Sequence, residues 1–240
     1  MEERLSVRRL VYVPIIHTNP ELGTLAEGME EQAKKVVGED NWQRHKEVVL
    51  CYWQEIANYW EKKNIPGLKI FQDGMPAGGA IGEAIVKSLA DKGSINYTII
   101  AQLLEKGATL IQTEDPEAVK KEYLLAKDLT KRKSLLASLW AVYRYRRQKV
   151  RLLQVRDAYI AGRIKENLAE GETGVCFLGA EHQILASLPQ DIEIIALKDP
   201  QKVREYHQKY MSRRWAEEVG ELGAYLTMPI ERKLDEADDE

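Results

Sequence analysis

The hydrophobic positions of this chain fall into short, continuous apolar runs separated by longer stretches with helical spacing. Short apolar runs bounded by turn residues are typical of strands that are covered on both faces. We predict a strand at each of five runs: Leu10–Ile16, Leu68–Phe71, Ala108–Gln112, Val175–Leu178 and Ile192–Ala196. Pro14 lies inside the first run and lacks a backbone N–H, so we expect it at a sheet edge or a strand end.

Helical spacing is clearest between Trp42 and Lys63, after a loop rich in Gly and Glu. Three further helices are predicted, over Ala80–Ala90, Tyr97–Glu105 and Pro200–Val219. The stretch from Glu114 to Leu168 has helical composition but is too long for one globular helix, so we expect at least two helices there. Strands that alternate with helices favour a parallel sheet. The sequence therefore predicts an α/β fold: a mostly parallel central sheet of about five strands flanked by helices, with a long helical insertion between the third and fourth strands.

Composition is that of a soluble globular protein, with 44% hydrophobic and 30% charged residues and a net charge of -3. We find no repeat or linker, and expect one domain over residues 1–230 with an acidic flexible tail over 231–240. The start of the chain is charged and no apolar run approaches the roughly 20 residues that cross a bilayer, so we expect a cytoplasmic protein. Cys51 and Cys176 lie in apolar runs and are expected to be buried, reduced thiols.

Polar residues follow four of the predicted strands. His17 follows the first strand, with Glu21 four positions later, and Asp73 follows the second. Glu114 and Asp115 follow the third strand, and Glu181 and His182 follow the fourth. In an open parallel sheet the carboxyl ends of the strands lie at one edge, where ligands bind. The sequence therefore predicts that these side chains gather at that edge.

Imidazole and carboxylate groups together are typical ligands of zinc, manganese, iron or cobalt. We predict a divalent metal ion, most simply zinc, manganese or cobalt, with four ligands: His17, His182, Asp73 and Glu114. Carboxylates that are not ligands, such as Glu21 or Glu181, are candidate general bases. The alternative is that these residues only cap helices and form turns, as Asp and Glu commonly do. His45 and His207 lie in charged helical stretches and are expected to face solvent.

Two weaker patterns have mainly structural interpretations. Gly74, Gly78, Gly79 and Gly82 precede a helix but match neither the dinucleotide fingerprint nor the P-loop. The lack of a match favours a tight turn and close packing over an anion cradle.

The segment Lys131–Arg156 carries nine basic residues and no acidic one. It is either a nucleic-acid-binding face or the solvated side of packed helices, and we favour the second because the rest of the chain offsets its charge.

The segment from Arg156 to His182 carries a family resemblance. An Arg-Asp pair opens RDAYIAGRI, a GETG turn follows, and a hydrophobic strand ends in Gly-Ala-Glu-His at Gly179–His182. Near the start of the chain, VYVPIIH places Pro14-Ile15-Ile16-His17 after a strand. This pattern resembles the TraB/PrgY and Tiki superfamily, which is related more remotely to erythromycin esterases and ChaN-type haem-binding proteins.

The resemblance implies roles for four residues. His17 and His182 would be metal ligands or catalytic groups, and Glu21 takes the place of an early acidic residue. Arg156 would be a buried arginine that orients a carboxylate or binds an anion, instead of a surface residue of a basic helix. Pro14 stands where the family has glycine, which departs from the pattern.

Three functional hypotheses follow. The first is a metal-dependent hydrolase, peptidase-like or esterase-like, that acts on a small molecule or a peptide. The second is a non-catalytic protein of the same fold that binds a small ligand or a partner, which Pro14 favours. The third is a nucleic-acid-binding module that uses Lys131–Arg156. The sequence leaves open whether the chain forms a homo-oligomer.

Overall fold

The computed structural model describes residues 7–18, 26–115, 117, 120, 135–211 and 217–230, and gives no side-chain detail for 135–149. It contains a five-stranded, entirely parallel sheet in the order β3-β2-β4-β1-β5. The strands are β1 (Arg8–Ile15), β2 (Lys69–Gln72), β3 (Thr109–Ile111), β4 (Thr173–Gly179) and β5 (Ile192–Ala196). The predicted α/β class, strand number and strand direction are confirmed.

The helices of the described residues are α1 (Ala26–Val37), α2 (Glu39–Glu61), α3 (Gly79–Asp91), α4 (Ile95–Glu105), α5 (Leu135–Asn167), α6 (Pro200–Met211) and α7 (Glu217–Thr227). The helix α5, 33 residues long, lies between β3 and β4, which confirms the predicted helical insertion. Within the described part of the chain, no helix has both the length and the apolar character that a membrane span requires.

The two faces of the sheet are covered unequally. One face packs against α2, α3, α4, α6 and α7 and forms the larger core, to which β1 contributes Val11 and Val13. The opposite face packs against the C-terminal half of α5, through Ile160 and Ile164, and receives Tyr12 from β1. Side chains of one strand alternate between the two faces because the strand repeat is two residues. The thinner layer, formed by α5, carries Arg156 and Asp157, two residues of the site described below.

Pro14 lies where β1 has lost one neighbour. The pairing of β1 with β5 ends at Tyr12, whereas its pairing with β4 continues through Pro14 to Ile15. On the β5 side, Leu197 N donates to Tyr12 O. The backbone nitrogen of Pro14, two residues later, faces the same side, where β5 no longer provides a partner. The missing N–H therefore leaves no ladder bond unmade. The Pro14 carbonyl accepts a hydrogen bond from the hydroxyl of Tyr52 on α2.

Two predictions about helices are wrong. The first is the loop predicted before Trp42, where the structure has the helix α1. Ala, Glu, Gln and Lys dominate this segment, and their helix propensity outweighs the effect of Gly28. The second is the single helix Pro200–Val219, which is replaced by α6 and α7, two helices that pack against each other and so bury more apolar surface than one straight helix. The expectation of at least two helices over Glu114–Leu168 stays a prediction, since α5 covers only 33 residues of that stretch. Most of the segment before α5 lies outside the described residues.

Two burial predictions are also wrong. His45 is only 8% exposed, because it continues the apolar stripe of α2 between Trp42 and Val49 and stacks on Tyr210 of α6. Cys51 is exposed, because it lies on the outer face of the same helix, while Cys176 in β4 is fully buried. Both cysteines are free thiols. The predicted acidic tail, residues 231–240, lies outside the described residues.

Candidate functional site

Three strand ends meet at one point of the sheet edge, next to Gly179 at the end of β4. A methyl group placed on Gly179 would lie 3.1 Å from Asp73 Oδ2, 3.6 Å from His182 Cδ2 and 3.7 Å from His17 Nε2. The strand β4 lies between β2, which precedes Asp73, and β1, which precedes His17. The parallel topology therefore brings together side chains that are far apart in the sequence. Glycine at position 179 leaves the space in which they meet.

His182 is enclosed by two carboxylates. Its Nδ1 lies 2.5 Å from Asp157 Oδ1 and its Nε2 lies 3.2 Å from Asp73 Oδ2, with a side chain only 4% exposed. Burial lowers the pKa of the imidazole, but the hydrogen bond and charge of Asp73 and the hydrogen bond of Asp157 outweigh burial and raise the pKa above its ordinary value. The ring is thus fixed in one orientation, with Nδ1 on Asp157 and Nε2 facing Asp73.

The turn that carries His182 is fixed by its own backbone and by α6. The backbone N–H of His182 donates to Gly179 O over 3.0 Å. Arg204 of α6 donates from Nε to Ala180 O over 2.7 Å and from Nη2 to His182 O over 3.3 Å. The second oxygen of Asp157 accepts the N–H of Gln183 over 3.0 Å. These bonds set the distance between His182 and the end of β4.

Asp73 is the central carboxylate of the site. Its Oδ2 accepts the N–H of Gly179 over 3.1 Å, and its Oδ1 accepts a hydrogen bond from Arg156 Nη2 over 2.7 Å. Burial raises the pKa of Asp73, but the hydrogen bond and charge of His182, with the charges of Arg156 and His17, hold the pKa well below its usual range. Asp73 is therefore ionised at any physiological pH.

Arg156 links Asp73 to a second, fully buried carboxylate. Its Nε lies 2.9 Å from Glu114 Oε1 and 3.1 Å from Oε2, and its Nη2 lies 2.5 Å from Oε1. Burial raises the pKa of Glu114, against the opposing effect of Arg156. Gly74 N also donates to Glu114 Oε1 over 3.3 Å. Glu114 thus lies against the guanidinium and not beside Gly179, and its role as a metal ligand stays a prediction.

The remaining candidates differ in position. His17 is exposed at the end of β1, and Glu181 is exposed in the turn before His182. Glu21 lies outside the described residues. The proposed catalytic roles of Glu21, Glu181 and Arg156 stay predictions.

The glycine-rich segment after Asp73 forms a close contact of backbones. A methyl group on Gly78 would lie 2.8 Å from Leu110 O, and one on Gly82 would overlap Ala77 O. Close packing at the start of α3 explains both glycines.

The basic segment Lys131–Arg156 is described only in part. Residues 131–134 lie outside the described residues, and for 135–149 the helix is described without its side chains. Of the rest, Arg151 is exposed and Arg156 belongs to the site. The nucleic-acid-binding interpretation stays a prediction.

Asp157 and Arg204 are the two residues of the site that the sequence did not indicate as candidates. Asp157 follows Arg156 directly in the RDAYIAGRI segment. This Arg-Asp pair was the sequence signal that could have indicated Asp157 as a site residue. Nothing in the local pattern around Arg204 reveals its contact with the turn at His182, because that contact depends on how α6 packs on the sheet.

The pair His182 and Asp73 has the chemistry and spacing of two ligands of one cation. Ligand atoms about 2 Å from a tetrahedral zinc ion lie a little over 3 Å apart, and Nε2 of His182 lies 3.2 Å from Oδ2 of Asp73. Metal-binding histidines donate their other N–H to a carboxylate, as His182 Nδ1 does to Asp157. In the described residues, no three His, Cys, Asp or Glu side chains form a complete metal-binding group. The described structure therefore supplies two donor atoms of such a site.

Comparison with known protein families, with curated proteins and with solved structures found nothing that matches this chain.

Proposed function

We propose that this protein is a metal-dependent hydrolase whose site lies at the carboxyl edge of the sheet, around Gly179. The observation that supports the proposal most strongly is the row Asp157–His182–Asp73, in which an imidazole oriented by one carboxylate faces a second carboxylate. His182 Nε2 and Asp73 Oδ2 would hold the ion. His17 Nε2 faces the same space beside Gly179 but does not complete a three-ligand group in the described residues, so its role as a ligand stays a prediction. When bound, a divalent ion supplies Lewis acidity toward a carbonyl or phosphoryl oxygen.

The chain itself fixes the charges around the site before any ligand arrives. Arg156 holds Oδ1 of Asp73, which leaves Oδ2 directed to His182 and to the end of β4. Glu114, which is fully buried, pairs with the same guanidinium as Asp73. A site whose polar groups are already oriented reorganises little during a reaction. His17 is exposed and is therefore the member of the group that a substrate meets from solvent.

Zinc binding by isothermal titration calorimetry tests the proposal, with manganese and cobalt as further ions. We expect saturable binding by the wild-type protein and loss of binding in His182→Ala and in Asp73→Asn. His207→Ala is the matched control, because this histidine is exposed on α6. Its zinc affinity should equal that of the wild type, and thermal melting verifies that each variant folds.

Wild-type protein that binds none of the three metals would overturn the proposal, as would unchanged zinc affinity in His182→Ala. The alternative is a non-catalytic binding protein of the same fold. It is favoured by Pro14 and by the internal pairing of Arg156 with two carboxylates. Turnover separates the two functions: the hydrolase cleaves generic ester, peptide or phosphate substrates when metal is added, and the binding protein does not.

A further inference from the structure

A large cavity adjoins the site on the face of the sheet covered by α5. Its volume is about 990 Å³, at the upper end of the range for small-molecule sites. One wall is a single stripe of α5 that extends from Val150 to Lys165, and the other is the β4–β5 connection around Leu188. Fifteen residues of helix span about 22 Å, so the cavity is elongated along α5. Asp157, the partner of His182, lies in its wall.

The cavity changes character along its length. Its far end is lined by Val150 and Leu153, with the amide of Gln154 beside them, and Val150 is 59% exposed although apolar. The other end is polar and contains Lys165, Arg8 and Asp191. A ligand that matches both ends is linear, with one apolar end and one polar end.

Gly162, in the helical wall of the cavity, is a glycine that close packing does not explain. Gly162 lies inside α5, where glycine is one of the least favourable helix residues. A methyl group on Gly162 would meet nothing within 4 Å, in contrast to Gly78 and Gly82. The cavity is therefore open beside Gly162 for lack of a side chain, and a larger residue there would enter it.

The charges at the polar end leave one cation uncompensated. Arg8 pairs with Asp191 over 2.5 Å, and its Nη1 donates to Leu168 O over 3.0 Å. Asp157 is paired with His182. For Lys165, by contrast, we find no ion pair or hydrogen bond of the ammonium group to any described residue. An anion at this end would give Lys165 a counter-charge.

We propose that this cavity binds a long-chain carboxylate. The carboxylate group pairs with Lys165, and the hydrocarbon chain extends past Gly162 towards Leu153 and Val150. The chain passes Asp157, so that an occupant contacts the residue that orients His182. The proposal concerns binding alone and does not depend on metal or on hydrolysis.

Fluorescence titration of the full chain with cis-parinaric acid, a linear fluorescent carboxylate, tests the proposal. We expect saturable binding by the wild type. The affinity of Gly162→Leu for the probe should be at least about tenfold lower, because the leucine side chain fills part of the cavity. Gly220→Leu is the matched control, because Gly220 is exposed on α7 and a methyl group there also meets nothing. Its affinity should equal that of the wild type.

The lysine is tested separately, so that the result does not depend on the folding of Gly162→Leu. Lys165→Gln changes an exposed side chain and should weaken binding about threefold, as expected for an exposed ion pair, while Lys165→Arg should retain the affinity. Palmitate should displace the probe and hexadecylamine, with the opposite charge on the same chain, should not. The proposal is overturned by wild-type protein without saturable binding, by unchanged affinity in Gly162→Leu or Lys165→Gln, or by equal displacement by the amine.

Discussion

The carboxylate of Asp157 lies 2.5 Å from Nδ1 of His182, although the two residues are 25 positions apart and belong to different elements. Asp157 is on α5, and His182 is in the turn after β4. A single carboxylate thereby links the helical layer to the sheet edge. It also fixes which nitrogen of the imidazole faces Asp73.

Replacement of Asp157 by Asn should weaken zinc binding without removing it. The amide keeps the size of the side chain but loses the charge that orients His182 and raises its basicity. Loss of such an outer carboxylate typically lowers metal affinity about ten- to a hundredfold. Calorimetric titration with zinc measures the change. Asp91→Asn, an exposed carboxylate at the end of α3, serves as control, and equal affinity in Asp157→Asn and wild type would contradict the assignment of His182 as a ligand.

Replacement of Arg156 by Leu should destabilise the fold strongly. The change leaves the fully buried Glu114 and the largely buried Asp73 without their shared counter-charge. Removing one partner of a buried pair typically costs about 3–5 kcal/mol of unfolding free energy. Urea denaturation measures this loss. Arg151→Leu, an exposed arginine of the same helix, should stay within about 0.5 kcal/mol of the wild type.

A second substitution checks the cause of that loss. In the double variant Arg156→Leu with Glu114→Gln, the unpaired buried charge of Glu114 is gone. We expect this variant to recover part of the unfolding free energy, because the desolvated carboxylate dominates the cost of the single change. A double variant less stable than Arg156→Leu would show that the loss comes from packing and not from charge.

The fold was predictable because local pattern and topology agree in this chain. Short, continuously apolar runs such as Val175–Leu178 favour a buried strand, and strands separated by helices favour parallel pairing. The edge at which His17, Asp73 and His182 meet follows from that topology alone. The burial of His45 was predicted wrongly, although its spacing from Trp42 and Val49 matches the helical period of the buried stripe of α2.

Other features depend on tertiary packing and left no local signal. Asp157 and Arg204 contact the turn at His182 only because α5 and α6 pack on opposite sides of the same sheet edge. Glu114 follows a strand, as Asp73 does, but its carboxylate pairs with the guanidinium of Arg156 and does not lie beside Gly179. Whether a polar residue at a strand end faces the site or a neighbouring helix is decided by that helix and not by the strand.

Two helical glycines should respond in opposite ways to substitution by alanine. Gly162→Ala should raise the unfolding free energy by about 0.5–1 kcal/mol, because the new methyl group meets nothing and alanine favours the helix. Gly82→Ala should lower it by about 1–3 kcal/mol, because its methyl group would overlap the carbonyl oxygen of Ala77. Urea denaturation of both variants measures the two changes. Destabilisation by Gly162→Ala would mean that the helix there is more closely packed than the structure shows.

The stability of the fold should decrease as the pH falls from about 6.5 to about 4 because of His45. This residue lies in a cluster with Trp42, Tyr206 and Tyr210. Burial, with a smaller effect of the His207 charge, lowers the pKa of His45 from 6.5 to about 4. Between these values the unfolded chain binds a proton at this residue and the folded chain does not. Stability is therefore complete above pH 6.5, decreases as the pH falls and levels off near pH 4, with a total loss of about 3 kcal/mol.

Urea denaturation over this pH range, repeated with His45→Gln, isolates the contribution of His45. Glutamine does not titrate and can still accept a hydrogen bond from the hydroxyl of Tyr206, which lies 2.9 Å from His45 Nδ1. The difference in unfolding free energy between wild type and His45→Gln should therefore shrink by about 3 kcal/mol from pH 7 to pH 4. The exposed His207 gives the control, since His207→Gln should keep most of the wild-type pH dependence. A difference that is independent of pH would show that His45 is protonated equally in the folded and unfolded chains.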